Sequence, residues 1–225
     1  MRRSISAFAL IAVLAGAPGF SQQETAQAPP IPMPSDRVAD SYRIYAKLIP
    51  LGETAGKDWP HDLWLIQDTT LTVVQPGQPC SPESGSVSDA FGMNPHLAVH
   101  PPESRAQDFL EIMRDFDAHC HERARLDPQA WNLNAPVHLL NPQEQEQFQE
   151  YRSAREPEPT AAARFKGAPA LYGFSEVYFN ASHTVAMVYA THWCGGLCGQ
   201  GFWVVFGLDK GDWTPLNWSV SSWIS

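Results

Sequence analysis

Apolar residues crowd the last third of the chain and fall into two periods. Thr184 to Thr191 and Phe202 to Leu208 are apolar at odd and even positions alike, the pattern of strands buried on both faces. Phe174 to Phe179 forms an earlier strand-like run, turned by Asn180-Ala181-Ser182-His183. The segment Cys194-Gly195-Gly196-Leu197-Cys198-Gly199 links the second run to the third. Asp209-Lys210-Gly211-Asp212 makes a further turn, with Gly where φ > 0 is wanted. Trp213 to Ile224 then reads as a last strand, interrupted by Pro215 in the manner of an edge. Links this short imply antiparallel neighbours.

Helical spacing dominates the first two thirds. Ser35 is placed as an N-cap, Val38, Tyr42, Tyr45 and Ile49 follow on one face, and Pro50 and Gly52 end the run. Phe109, Ile112, Met113 and Phe116 give the i, i+3, i+4, i+7 stripe of an amphipathic helix running to about His119. Asn141-Pro142-Gln143-Glu144 announces another, with a cap, Pro at the first position and Glu at the third; Phe148 and Tyr151 are its apolar contacts. Leu63 to Ile66 is a short, wholly apolar run and reads as a buried strand at the edge or middle of the sheet. Residues from Gln75 to Pro102 are rich in Pro, Gly and Ser without useful period, and Glu156 to Ala170 reads as a linker. The pattern predicts an α+β domain spanning residues 35–225, with two or three helices packed on a mainly antiparallel four- to five-stranded sheet.

The N-terminus changes the picture. Met1-Arg2-Arg3, an apolar run from Ala7 to Ala15 and small residues at Ala17-Pro18-Gly19 are the three parts of a secretory signal peptide, assigned to residues 1–22. Residues 23–34 then form a flexible leader of Gln, Ala, Pro and Glu. The protein is therefore expected to be periplasmic or extracellular and soluble. Loss of Arg2 and Arg3 takes the formal charge from −9 to −11, and there is no basic stripe, so nucleic acid is excluded as a partner. The apolar run is too short to span a bilayer, and no second one exists.

In an exported chain, 4 cysteines read as two disulfides. Three pairings are possible; Cys194 with Cys198 and Cys80 with Cys120 is the expected one. If Cys194 and Cys198 face each other across a ladder, their Cα atoms come within disulfide range.

Phe174-Ser175-Glu176-Val177-Tyr178-Phe179-Asn180, Thr184-Val185-Ala186-Met187-Val188-Tyr189, Cys194-Gly195-Gly196-Leu197-Cys198-Gly199-Gln200-Gly201 and Trp223-Ile224-Ser225 resemble a family of uncharacterised exported bacterial proteins. Tyr42 to Leu48 and Trp64 to Thr69 resemble the start of the same family. The likeness implies bacterial origin and brings no activity or catalytic residue with it.

Candidate chemistry is sparse. The chain has no Gly-x-Ser-x-Gly and no His-Glu-x-x-His, and no cofactor is expected. A redox role for Cys194 and Cys198 is disfavoured by a spacing of three and the lack of a following helix. A metal site from His192, Cys194 and Cys198 with His119, Cys120 and His121 competes with disulfide formation, and no metal is expected. Two functional readings remain. One is a non-catalytic binding module for a small molecule, glycan or protein, using Trp193, Trp203, Trp218 and His192. The alternative is a cell-envelope hydrolase using His183 or His192 with Glu176 or Asp68. Trp213, Trp218 and Trp223 differ by odd steps, so a regular strand would put them on alternating faces.

Overall fold

Strands β8 (Val185–Gly195) and β9 (Cys198–Asp209) pair antiparallel along most of their length and form the hairpin to which the other elements attach. The computed structural model describes residues 28–51, 62–74, 77–81, 93–196 and 198–224. The expected signal peptide and the first part of the leader lie outside the described residues. Val185 to Ala190 are all buried, as apolarity on both faces demands. At the hairpin tip the register shifts between Trp193 and Gly195, and Gly195, at φ 143°, pairs with Cys198. Cys194 is thus displaced by a bulge and reaches Cys198 diagonally, at a Cα–Cα distance of 5.2 Å, instead of lying directly opposite it.

Among the described residues the main sheet has 8 strands, in the order β10-β9-β8-β6-β2-β5, with β12 also pairing β9 and β7 also pairing β8. The added members are β2 (Trp64–Gln67), β5 (Val137–Leu140), β6 (Leu171–Phe174), β7 (Tyr178–Phe179), β10 (Asp212–Pro215) and β12 (Ser222–Ile224). The sheet is mixed: β2 lies in its interior and runs parallel to both neighbours, β5 and β6. This corrects the expected four to five strands; the sheet is mainly antiparallel, as expected, with the two pairings of β2 as its parallel part. Short links force antiparallel pairing only in the last third; the earlier connections are long enough for crossovers. One crossover carries α4 (Pro142–Ser153) and α5 (Pro159–Phe165), so the segment read as a linker contains a helix. Two more helices than the upper expectation are therefore present, 5 in all among the described residues: these two with α1 (Val38–Leu51), α2 (Pro95–Ala98) and α3 (Ala106–His119).

Two further corrections concern strands. The run Phe174 to Phe179 is split, because Ser175 leaves the ladder: its N–H donates to Tyr189 O and its hydroxyl accepts from Tyr189 N–H, both at 2.9 Å. The last strand is three short ones. After β10 the chain crosses the sheet edge, and β11 (Ser219–Val220) pairs with β3 (Val99–His100) before β12 returns to β9. Ile31–Pro32 (β1), within the expected leader, pairs parallel with Ala124–Arg125 (β4).

Alternation along the strands sorts the core. One face carries Tyr172, Phe174, Val188 and Phe206 against Tyr42, Tyr45 and Leu48 of α1. The other face is covered in two separate places. Ile112, Met113 and Phe116 of α3 lie over Met187, Tyr189, Trp203 and Val205. Phe148 and Phe165, of α4 and α5, lie over Leu65 and Leu171 with Trp193 against them. The capping box of α4 is formed as the sequence announces, Asn141 and Glu144 each bonding the other's backbone N–H. Cys80 is bonded to Cys120 and Cys194 to Cys198, the expected pairing. No helix among the described residues is long and apolar enough to cross a membrane.

Candidate ligand-binding trough

Between the two helical covers the sheet is left open. Gly173, Thr191 and Gly201 are direct Cα partners across β6, β8 and β9; the two glycines are buried under neighbouring side chains, and Thr191 reaches the open space. Gln67 continues the row on β2, one step beyond the Ile66–Tyr172 pair, and Trp223 closes it on β12 as the partner of Gly201. Every interior member of this row is small. A Cβ at Gly173 would lie 2.8 Å from Thr191 Oγ1 and 3.2 Å from Gln67 Nε2, so these side chains face the trough beside it. A Cβ at Gly201 would lie 2.2 Å from both Trp223 Nε1 and Tyr189 Oη. The trough runs across the strands, with Leu171 and Trp193 as one wall and Leu71 and Tyr189 as the other.

The space, open to solvent, is about 530 Å³, within the ~300–1,000 Å³ typical of small-molecule sites. Gln149 of α4 borders it on one side, and Thr72 and Met93 on the other. The lining contains no Asp, Glu, Lys or Arg among the described residues. Its polar groups are amides and hydroxyls, each able to donate as well as accept. Trp223 Nε1 donates to Tyr189 Oη at 2.6 Å, and Trp193 meets the Phe148 ring edge-on at 5.9 Å. Both indoles keep part of their surface open to solvent.

The expected binding residues are divided by this geometry. Trp193 lines the trough. Trp203 and Trp218 are 1% and 8% exposed and belong to the core beneath α3; Trp218 packs against Phe109. His192 borders the space from a strand position whose side chain leaves by the opposite face, where its ring lies 6.3 Å from that of Tyr172. There its Nδ1 is buried without a partner, and burial holds its pKa below the usual imidazole value. Trp213, fully buried on the α1 face, and Trp218 lie on opposite faces because the chain crosses the sheet edge between them. Sequence reasoning missed Gln67, Gly173, Thr191 and Gly201; the one available signal was Gly inside two apolar strand runs.

The ionisable residues of the hydrolase reading occupy different surroundings. His183 stacks on Phe179 at 4.7 Å in the β7–β8 turn, at the opposite end of β8 from His192. Nine residues of extended strand separate two such positions by roughly 30 Å. Glu176 is 1% exposed. Desolvation raises its pKa, the Arg37 guanidinium opposes that rise, and Glu122 and Asp115 add to it. Arg37 is committed elsewhere, to Asp115 at 3.0 Å, while Asp115 also accepts from Phe179 N–H at 2.8 Å and contacts His119 at 3.2 Å. Asp68 uses its backbone to hold Leu126 and Leu140. Cys80, Cys120 and His121 cluster within 4.8 Å, but the two sulfurs are bonded to each other and are not thiolate ligands.

No family model, curated protein or solved structure matches the chain.

Proposed function

We propose that this is an exported bacterial binding protein that holds a small uncharged molecule in the trough across its sheet and performs no chemistry on it. The observation that carries the reading is the gathering of Gln67, Thr191, Trp193 and Trp223 around one space, with no Asp, Glu, Lys or Arg among the described lining residues. Neutral donors and acceptors favour uncharged ligands, because a charge desolvated against the walls would find no counter-charge among the described lining residues.

Export is supported by the N-terminal pattern and by two disulfides, which persist in oxidising compartments. Isolating the mature protein from the periplasmic or secreted fraction, with an N-terminus near residue 23, tests that part. Ligand-observed NMR with a cocktail of uncharged fragments tests the site. Wild-type protein gives mutually competing hits, and Gly173→Val, whose side chain pushes Thr191, Leu71 and Gln67 up into the space, loses them while keeping its circular dichroism spectrum. Hits that bind the folded variant and the wild type equally overturn the reading.

A further inference from the structure

The trough's ligand class can be narrowed, on the assumption that the trough is a binding site at all. We infer that it takes an uncharged saccharide, with a sugar ring laid against Trp193 and its hydroxyl groups meeting the Gln67 amide and the Thr191 hydroxyl.

Three classes of neutral ligand compete for such a space. An alkyl chain would match Leu171 and the indoles but would cover Gln67 and Thr191 with hydrocarbon. Each polar group buried without a partner costs ~1–3 kcal/mol. An extended peptide would need backbone partners, yet the floor strands β6, β8 and β9 already spend theirs on one another. The trough also crosses the strands instead of following an open edge, so strand addition has no place in it. A sugar meets both halves of the lining. Its C–H face suits an indole, and its hydroxyls donate and accept at once, as the amide and hydroxyl of the floor require. Gly173 matters here too: with no Cβ there, the Thr191 hydroxyl and the Gln67 amide settle side by side onto the sheet, next to Trp193 in the lining. Trp223 is pinned over Gly201 by its bond to Tyr189, so it bounds one end of the channel and does not fill it.

The test uses the purified disulfide-bonded protein. Cellobiose, maltotriose and N,N′-diacetylchitobiose are titrated by calorimetry and by tryptophan emission, beside the neutral hydrophobic probe 1-N-phenylnaphthylamine. At least one saccharide is expected to bind, about tenfold more weakly in Trp193→Ala, with partial recovery in Trp193→Tyr and a comparable loss in Thr191→Val. If only the hydrophobic probe binds, and Gly173→Val abolishes it, the saccharide inference falls and the binding-site reading survives. If neither saccharide nor probe binds in a way that Trp193→Ala or Gly173→Val changes, both fall.

Discussion

The indole nitrogen of Trp223 donates to the Tyr189 hydroxyl directly above Gly201, at 2.6 Å. This bond ties β12 to β8 across Gly201 of β9, at the end of the trough, and depends on the absence of a side chain at 201. Gly201→Ala places a methyl group where both bonded atoms already sit. The substitution is expected to cost ~1–3 kcal/mol by overpacking. It also frees β12, seen as loss of hydrogen-exchange protection at Ser222–Ile224 with β10 unaffected. Unchanged protection in the variant would mean that Trp223 is not held through this contact.

The two disulfides differ in what they close. The Cys80–Cys120 bond spans 40 residues and the Cys194–Cys198 bond spans 4. In the chain-entropy account these are worth ~4 and ~2 kcal/mol. Replacing Cys80 and Cys120 together by Ala is expected to lower the urea midpoint more than replacing Cys194 and Cys198. The smaller bond has a second anchor, since Arg152 of α4 donates to Cys194 O from both Nε, at 2.8 Å, and a terminal nitrogen. Equal or reversed losses would show that local geometry at the hairpin tip outweighs loop closure.

How much of this was legible in the chain depends on how local each signal is. Asn141 and Glu144 announce α4 within one turn, and Ile112, Met113 and Phe116 betray the buried face of α3 by spacing alone. The cystines follow from compartment and count. Trp64 to Gln67 reads as a strand, but its place between two parallel neighbours depends on crossovers that no local period records. The trough is less legible still. Gln67, Gly173, Thr191 and Gly201 become neighbours only through the register of separate strands. The burial of Glu176 is hidden from the sequence for a related reason. The break at Ser175 ends the alternation that would otherwise assign its face.

Stability against pH separates Glu176 from His192. Glu176 is raised by burial, so the folded chain holds its proton at pH values where the unfolded chain has lost it. Its contribution is full below the ordinary carboxylate value near 4.5 and is lost as pH rises through the higher folded pKa. His192 is lowered by burial, so its contribution is present above its ordinary value of 6.5 and is lost as pH falls through the lower folded pKa. Urea denaturation from pH 4 to 8 is expected to show Glu176→Gln gaining on wild type as pH rises, and His192→Gln gaining as pH falls. Parallel curves for wild type and Glu176→Gln would mean that water or a counter-ion reaches the carboxyl in the folded protein.

The tryptophans offer the sharpest division between packing and binding. Trp203 is 1% exposed, in contact range of Phe116, Tyr178 and Tyr189, and its Nε1 donates to Met93 O at 3.2 Å. Truncating it to Ala removes core volume and leaves a cavity, at ~3–5 kcal/mol. Trp193 lies partly open at the trough wall with Phe148 behind it. Its truncation removes less buried area and is expected to cost at most roughly half as much. Binding should rank the other way. Trp193→Ala empties the wall that a ligand would touch, whereas a folded Trp203→Phe variant leaves the trough lining in place. Thermal denaturation gives the first ranking and calorimetric titration the second. A Trp193→Ala protein as unstable as Trp203→Ala would make residue 193 one more core side chain, and the trough would lose its wall as a binding surface.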